Sequence, residues 1–268
     1  MSFAIEIKNL KLRYVNKIIF DDLDLNLEKG KTYVLSGANG SGKTTLVRTI
    51  AGLIDFKGMI KVDSTLLVKE EMRSIRKRMA VVLLNSHENI THETPFELLS
   101  SKLLNNGFIK DEVNEKVEEV LERFELSYIK DKDIMGLNLE EKVMVSFLAA
   151  IITNPSVLII DDIFIFLTEK NNEKIISFLN TLKLSGMTSI LVTNNNDLFS
   201  KVDELIVLSD GKVLKKGSVL EVFEKEEVIN RVGVEAPFML SLSYRLKFYG
   251  LLERLTLDME EIVEEVWK

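Results

Sequence analysis

An α/β fold is predicted by three features of this 268-residue chain. The first is a loop, Gly37-Ala38-Asn39-Gly40-Ser41-Gly42-Lys43-Thr44-Thr45, between an apolar run at 33–36 and a helical pattern from Leu46. This is G-x-x-x-x-G-K-[ST] in its strand–loop–helix setting. The second is Val157-Leu158-Ile159-Ile160, a run apolar enough to be buried on both faces of a parallel sheet, ending on Asp161. The third is the alternation that follows: a helix over 169–184 stopped by Gly186, then strands at 189–192 and 204–207.

The remaining elements read in order. Residues 3–36 alternate apolar and polar in short runs, with a turn at Glu28-Lys29-Gly30-Lys31, and predict a strand-rich lobe leading into the loop. Strand-like pieces follow at 59–62 and 79–84. The texture then becomes helical. Thr94-Pro95-Phe96-Glu97 is a helix start, with Thr as cap, Pro in the first turn and Glu reaching back. Val113, Val117, Val120, Leu121 and Phe124 recur at helical spacing, and a third helix is expected over about 138–153. Residues 86–154 therefore read as a helical insert. Asp210-Gly211 turns a hairpin. From Val219 the pattern is helical to the end, so the expected division is a domain over 1–220 and a helical extension over 221–268.

Composition narrows the function. Lys and Arg number 35 against 42 Asp and Glu, a net charge of −7 and a pI near 5.2. No domain-wide basic field exists to hold nucleic acid, which is not expected as a partner. With 46% hydrophobic residues the chain can build a full core. There is no cysteine, hence no disulfide framework and no thiolate metal site. No stretch reaches the roughly 18 uninterrupted apolar residues of a membrane span. The start, Met1-Ser2-Phe3-Ala4-Ile5-Glu6, lacks the basic and apolar regions of a signal peptide. Work at a membrane would require docking on a partner.

The loop selects a phosphate ligand. Gly37, Gly40 and Gly42 let the backbone curl until its N–H groups, with those of Asn39, Ser41 and Thr45, converge on an anion, and the following helix adds its positive end. Lys43 brings a full charge to β- and γ-phosphates, and Thr44 offers a hydroxyl to Mg²⁺. Asp161, at the end of a neighbouring strand, is the carboxylate expected to hold Mg²⁺ through water. Other features read more plainly. His87 and His92 have no third ligand in sight and read as surface residues. Lys69, Arg73, Arg76, Lys77 and Arg78 read as a solvated basic helix face, with room for a membrane partner. Ile262, Val263, Val266 and Trp267 form a short apolar stripe on the last helix.

These motifs and their spacing over about residues 3–220 resemble the ATP-binding subunits of ABC transporters. That implies a P-loop NTPase fold: a RecA-like core with an antiparallel β lobe, an ABC-type helical subdomain and, here, a small helical extension. It also implies ATP or ADP with Mg²⁺ as ligands, and Tyr14 as an aromatic stacking on adenine. Glu221-Val222-Phe223, Val232-Gly233-Val234, Pro237 and Gly250 are similar to the energy-coupling factor (ECF) branch, whose C-terminal helices meet across two ATPase subunits.

Against that family pattern the chain departs at several points. Leu84 stands where a Gln holding Mg²⁺ is usual. Asp162 replaces a Glu that polarises the attacking water, one methylene short; a 1 Å misplacement can cost ~10²-fold in rate. Asn194 takes the place of a His; it can donate to a γ-phosphate but carries no imidazolium charge. The signature after Leu137, normally Ser-Gly-Gly, is Asn138-Leu139-Glu140, followed by Glu141. Asn138 and Glu141 predict a capping box, while Leu139 adds bulk and Glu140 a negative charge where phosphate should approach. Thr168 replaces an Asp expected to reach across a dimer. The resemblance implies a head-to-tail pair of subunits on a transmembrane coupling subunit at the cytoplasmic membrane face. A self-pair would be defective on both sides, so the expected partner is a second, better-equipped ATPase chain. A non-hydrolysing regulatory subunit is the alternative. Two-domain ABC proteins of translation or repair, and P-loop kinases with a substrate lid, fit the pattern less well.

Overall fold

The computed structural model describes residues 2–15, 17–83, 94–225 and 233–267. Two sheets lie at its centre. The smaller is antiparallel, in the order β2 (Lys17–Glu28), β1 (Phe3–Tyr14), β4 (Lys57–Val62), β5 (Thr65–Leu66). The larger has the order β10-β9-β3-β8-β7-β6. Five of its strands are parallel: β3 (Thr32–Ser36), β6 (Met79–Val82), β7 (Val157–Asp161), β8 (Thr188–Val192) and β9 (Glu204–Ser209). The sixth, β10 (Lys212–Gly217), is an antiparallel edge. Such an open sheet collects ligands beyond the carboxyl ends of its strands.

Side-chain alternation explains why the sheet is buried on both faces. Along β3, Val34 enters one core cluster while Tyr33 and Leu35 enter the other. Along β7, Leu158 and Ile160 face the first, Val157 and Ile159 the second. One layer is the helical side and the other is roofed by the antiparallel lobe. In that lobe Ile5, Ile7, Leu10 and Leu12 are buried although Ile7 and Leu10 break the period of two. A register shift lies between them, with Asn9 in the left-handed region (φ 51) and its N–H donated to Asp24 at 2.6 Å. The bulge returns the next apolar residue to the core.

The helices are α1 (Lys43–Ile50), α2 (Met72–Arg78), α3 (Pro95–Asn105), α4 (Lys110–Arg123), α5 (Leu139–Ile151) and α6 (Glu169–Leu184). Beyond the sheet come α7 (Val219–Val222), α8 (Phe238–Phe248) and α9 (Met259–Val266). The capping box expected at Thr94 is formed, with the Glu97 N–H donated to the Thr94 hydroxyl at 3.2 Å and the Thr94 N–H to the Glu97 carboxylate at 3.2 Å. The helical insert is keyed to the sheet layer by three aromatic rings. Phe124 after α4, Phe147 on α5 and Phe178 on α6 meet edge to face, with centroids 5.7, 5.2 and 6.5 Å apart. Such pairs contribute about 0.5–1.5 kcal/mol each beyond the area they bury.

Two expectations need correction. The stretch after Val219 is not continuously helical: 249–258 is irregular between α8 and α9, with Gly250 at φ 71 ending the helix and Thr256 donating its N–H to the buried Ser243 hydroxyl at 2.9 Å. The basic run is also not one solvated face. Arg78 turns inward to Asp63 and donates to the Thr65 hydroxyl at 2.6 Å, stapling α2 to the antiparallel lobe. On α9, Ile262 is buried while Val263 and Trp267 are exposed, so the apolar stripe is only partly covered by its own chain.

The hairpin turn at Asp210-Gly211 does more than reverse the chain. Gly211 donates its N–H to the Ser41 carbonyl at 3.2 Å, and a Cβ there would meet the Ile19 carbonyl at 1.8 Å. The turn touches the phosphate loop on one side and β2 on the other.

Candidate nucleotide site

The loop leaves β3 at Ser36 and enters α1 at Gly42. Gly42 caps the helix at φ 108, with no side chain satisfying the first N–H groups. A Cβ there would press the Phe20 ring at 3.0 Å, so the β lobe and the loop pack backbone against ring. The free N–H groups and the helix dipole make this end an anion acceptor. The Lys43 ammonium donates to the Gly37 and Ala38 carbonyls at 2.6 and 3.1 Å, holding the loop closed. Burial lowers its pKa, opposed by the nearby Asp162 and Asp161 carboxylates.

Asp161 ends β7 almost wholly buried, at 1% exposure. Its Oδ1 lies 3.5 Å from the Thr44 hydroxyl, and its Oδ2 has no hydrogen-bond partner. Burial raises its pKa, against the pull of Thr44. A hydroxyl and an unpartnered buried carboxylate oxygen side by side suit a hard divalent cation with oxygen ligands, so the residues fit Mg²⁺. The Ser41 hydroxyl is likewise buried without a partner. Asp162 follows at φ 57, its N–H donated to the Val192 carbonyl at 2.9 Å, its pKa raised by burial and lowered by Lys43. Tyr14 closes β1 opposite Lys17, 45% exposed and available as a stacking face. Asn39 and Gly40 are exposed at the loop tip, and Thr45 opens the first turn of α1.

At two of the departing positions the structure adds partners within the chain. Asn194 turns its side-chain oxygen back, accepting from the Ser36 hydroxyl at 2.8 Å and the Gly37 N–H at 3.2 Å. It steadies the entry to the loop. Ser36 was not singled out in the sequence; its place as the last strand residue is the only hint. Glu140 does not project into open space. Its Oε1 accepts from the Thr168 N–H at 2.8 Å, the Thr168 hydroxyl at 2.7 Å and the Asn171 amide at 2.7 Å. Burial pushes its pKa up, but these three donors outweigh it and leave the carboxyl below its usual range. Asn171 carried no sequence signal.

The signature-like corner is otherwise as read. Asn138 accepts from the Glu141 N–H at 2.9 Å and donates its own N–H to the Glu141 carboxylate at 2.9 Å. Tyr128 donates its hydroxyl to the other oxygen of Glu141 at 2.8 Å. Leu139 is 45% exposed at the tip of α5. Leu84, His87 and His92 lie outside the described residues.

A phosphate loop whose free N–H groups, buried hydroxyl and buried carboxylate all converge beyond the strands of a parallel sheet defines a P-loop nucleotide-binding protein. The chain belongs to the ABC transporter family, whose pattern it matches over residues 20–164. Among its relatives is the energy-coupling factor transporter ATP-binding protein EcfA of Pediococcus pentosaceus, 29% identical over 272 residues, covering 100% of this chain and 97% of that one. A putative ABC transporter ATP-binding protein of Pyrococcus abyssi is 28% identical, covering 98% of each chain. EcfA1 of Bacillus subtilis is 28% identical over 98% of this chain and 96% of its own. The fold matches cbiO1 from Clostridium perfringens, described as part of the ABC transporter complex cbiONQ, with a TM-score of 0.75 and 21% identity over 92% of this chain and 100% of that one. It also matches a dimeric post-hydrolysis ATP-binding cassette bound to ADP and Pi, with a TM-score of 0.73 and 23% identity over 80% of this chain and 98% of that one.

Proposed function

We propose that the chain is the ATP-binding subunit of an ECF-type importer, one half of a head-to-tail ATPase pair held at the inner face of a membrane by a transmembrane coupling subunit, and the catalytically degenerate member of a heterodimer. Among the described residues no helix is long and apolar enough to cross a membrane, in keeping with a docked role. The observation that carries the reading is the pairing of a ligand-ready loop with a signature corner whose polar groups are used up inside the chain. In this reading residues 1–220 form the ATP-binding domain and 221–268 an extension whose exposed Val263 and Trp267 meet the partner subunit.

The loop N–H groups and Lys43 would take the β- and γ-phosphates of ATP or ADP, and Tyr14 the adenine face. Thr44 and Asp161 would hold Mg²⁺, which when bound offsets phosphate charge. Hydrolysis needs more than binding. Asp162 has a shortened reach, and Asn194, whose oxygen is engaged with Ser36 and Gly37, carries no imidazolium charge. These two placements favour a second reading, a subunit that binds nucleotide without turning it over. Calorimetric titration of the full chain with Mg-ATP tests the shared core of both readings: micromolar binding is expected, and absence of heat overturns them. Co-purification from membranes tests the heterodimer. A one-to-one complex with a different ATPase chain is expected, and a tight, active homodimer rules it out. Turnover by the reconstituted pair, with the companion's own site disabled, separates the two readings.

A further inference from the structure

Two of the positions that depart from the family's dimer-facing pattern, 140 and 168, are joined in the structure. Glu140 lies in the first turn of α5 in the helical insert, and Thr168 stands at the N-cap position of α6 in the sheet layer, 28 residues on. One carboxylate oxygen takes three donors: the backbone N–H and hydroxyl of Thr168 and the amide of Asn171. The Thr168 hydroxyl, spent on this bond, makes no cap to its own helix. The Glu140 anion takes the Thr168 backbone N–H and lies near the positive end of α6. An Asp at 168 would set two carboxylates within hydrogen-bonding distance of each other, so each departure makes sense only with the other. Glu141, the remaining acid of the first turn of α5, is tied to Asn138 and Tyr128.

We propose that Glu140 is a positioning residue that clamps the start of α5 to the start of α6 within the chain, so that its carboxylate is turned toward α6 and the corner offers Asn138 and the exposed Leu139 to a second ATP-binding chain. The clamp stands on the geometry alone; the identity of what meets the edge rests on the function proposed above. The consequence is that this corner fails to bind phosphate by the bulk of Leu139 as well as by the charge of Glu140. It can close beside a nucleotide held by another subunit without contributing to its chemistry.

Two experiments separate these parts. On the isolated full chain, hydrogen exchange at the Thr168 amide should quicken about tenfold in Glu140→Ala, and Glu140→Gln, which keeps an acceptor oxygen, should restore it. In the same chain Thr168→Asp should shift the unfolding equilibrium by about tenfold with Glu140 present and by less than about threefold in Glu140→Gly. Unchanged exchange, or equal shifts in the two backgrounds, overturns the clamp. With the co-purified complex, Thr168→Asp, which drives the Glu140 carboxylate outward, should weaken association about tenfold in sedimentation, and the Glu140→Gly, Thr168→Asp double variant should recover it. Unchanged association overturns the edge while leaving the clamp. A chain that finds no companion ATPase overturns the proposed function, and the exchange result is unaffected.

Discussion

The phosphate loop and the start of α5 lie on one chain and differ in how their polar atoms are satisfied. At the loop, the Ser41 hydroxyl and one oxygen of Asp161 are buried with no partner, and α1 begins without a side-chain cap. At α5, Asn138, Glu140 and Glu141 are all paired within the chain. A buried polar atom left unpaired costs about 1–3 kcal/mol, which a ligand that pairs it recovers. Where every group is already paired, a ligand has nothing to complete. The first region is unfinished without nucleotide and the second is finished without it.

Four measurements would break or sharpen that contrast. The largest effect is expected from Lys43→Ala, which should weaken Mg-ATP binding about 100-fold with the far-ultraviolet dichroism unchanged; retained affinity would mean the loop is not the ligand site. Next, Asp162→Glu should raise turnover of the isolated chain by less than about tenfold, because position 162 is in the left-handed region, which Asp tolerates better than Glu, and Asn194 still carries no imidazolium charge. A steady-state phosphate-release assay reads this directly. Asn138→Ala should lower stability by about 1 kcal/mol in urea melts without touching nucleotide affinity, since the cap belongs to the finished region. The smallest effect is acid dependence. Glu140 has its pKa depressed in the folded chain, so its contribution is present above the unfolded value and is lost as pH falls through the folded one. Glu140→Gln should flatten that acid limb of the stability curve.

Local signals carried much of this into the sequence. The loop, the Asp closing β7 and the capping boxes at Thr94 and Asn138 each lie within a few residues of one another, and their spacing is their geometry. The Asp210-Gly211 turn is legible for the same reason. What spacing cannot express is where a long side chain goes once distant elements pack. Glu140 meets Asn171 across 31 residues and Asn194 meets Ser36 across 158, so the sequence shows the acid and the amide but not the partners their oxygens take. Arg78 was hidden likewise among four other cations, and only the fold brings it to Asp63 and Thr65. The left-handed backbone at Asp162 has no sequence mark beyond the tolerance of Asp for that conformation.

Gly211 shows what kind of change the architecture permits. Tyr14 and Leu139 are both half exposed, so their side chains end in open space. At the β9–β10 turn, main chain rests directly on main chain: one amide reaches Ser41, and the α-carbon sits under Ile19 with no room for a methyl group. Chemistry can therefore drift residue by residue while the scaffold around the loop admits no intermediate, and an added carbon atom at this crossing would pry the antiparallel roof away from the loop it shelters.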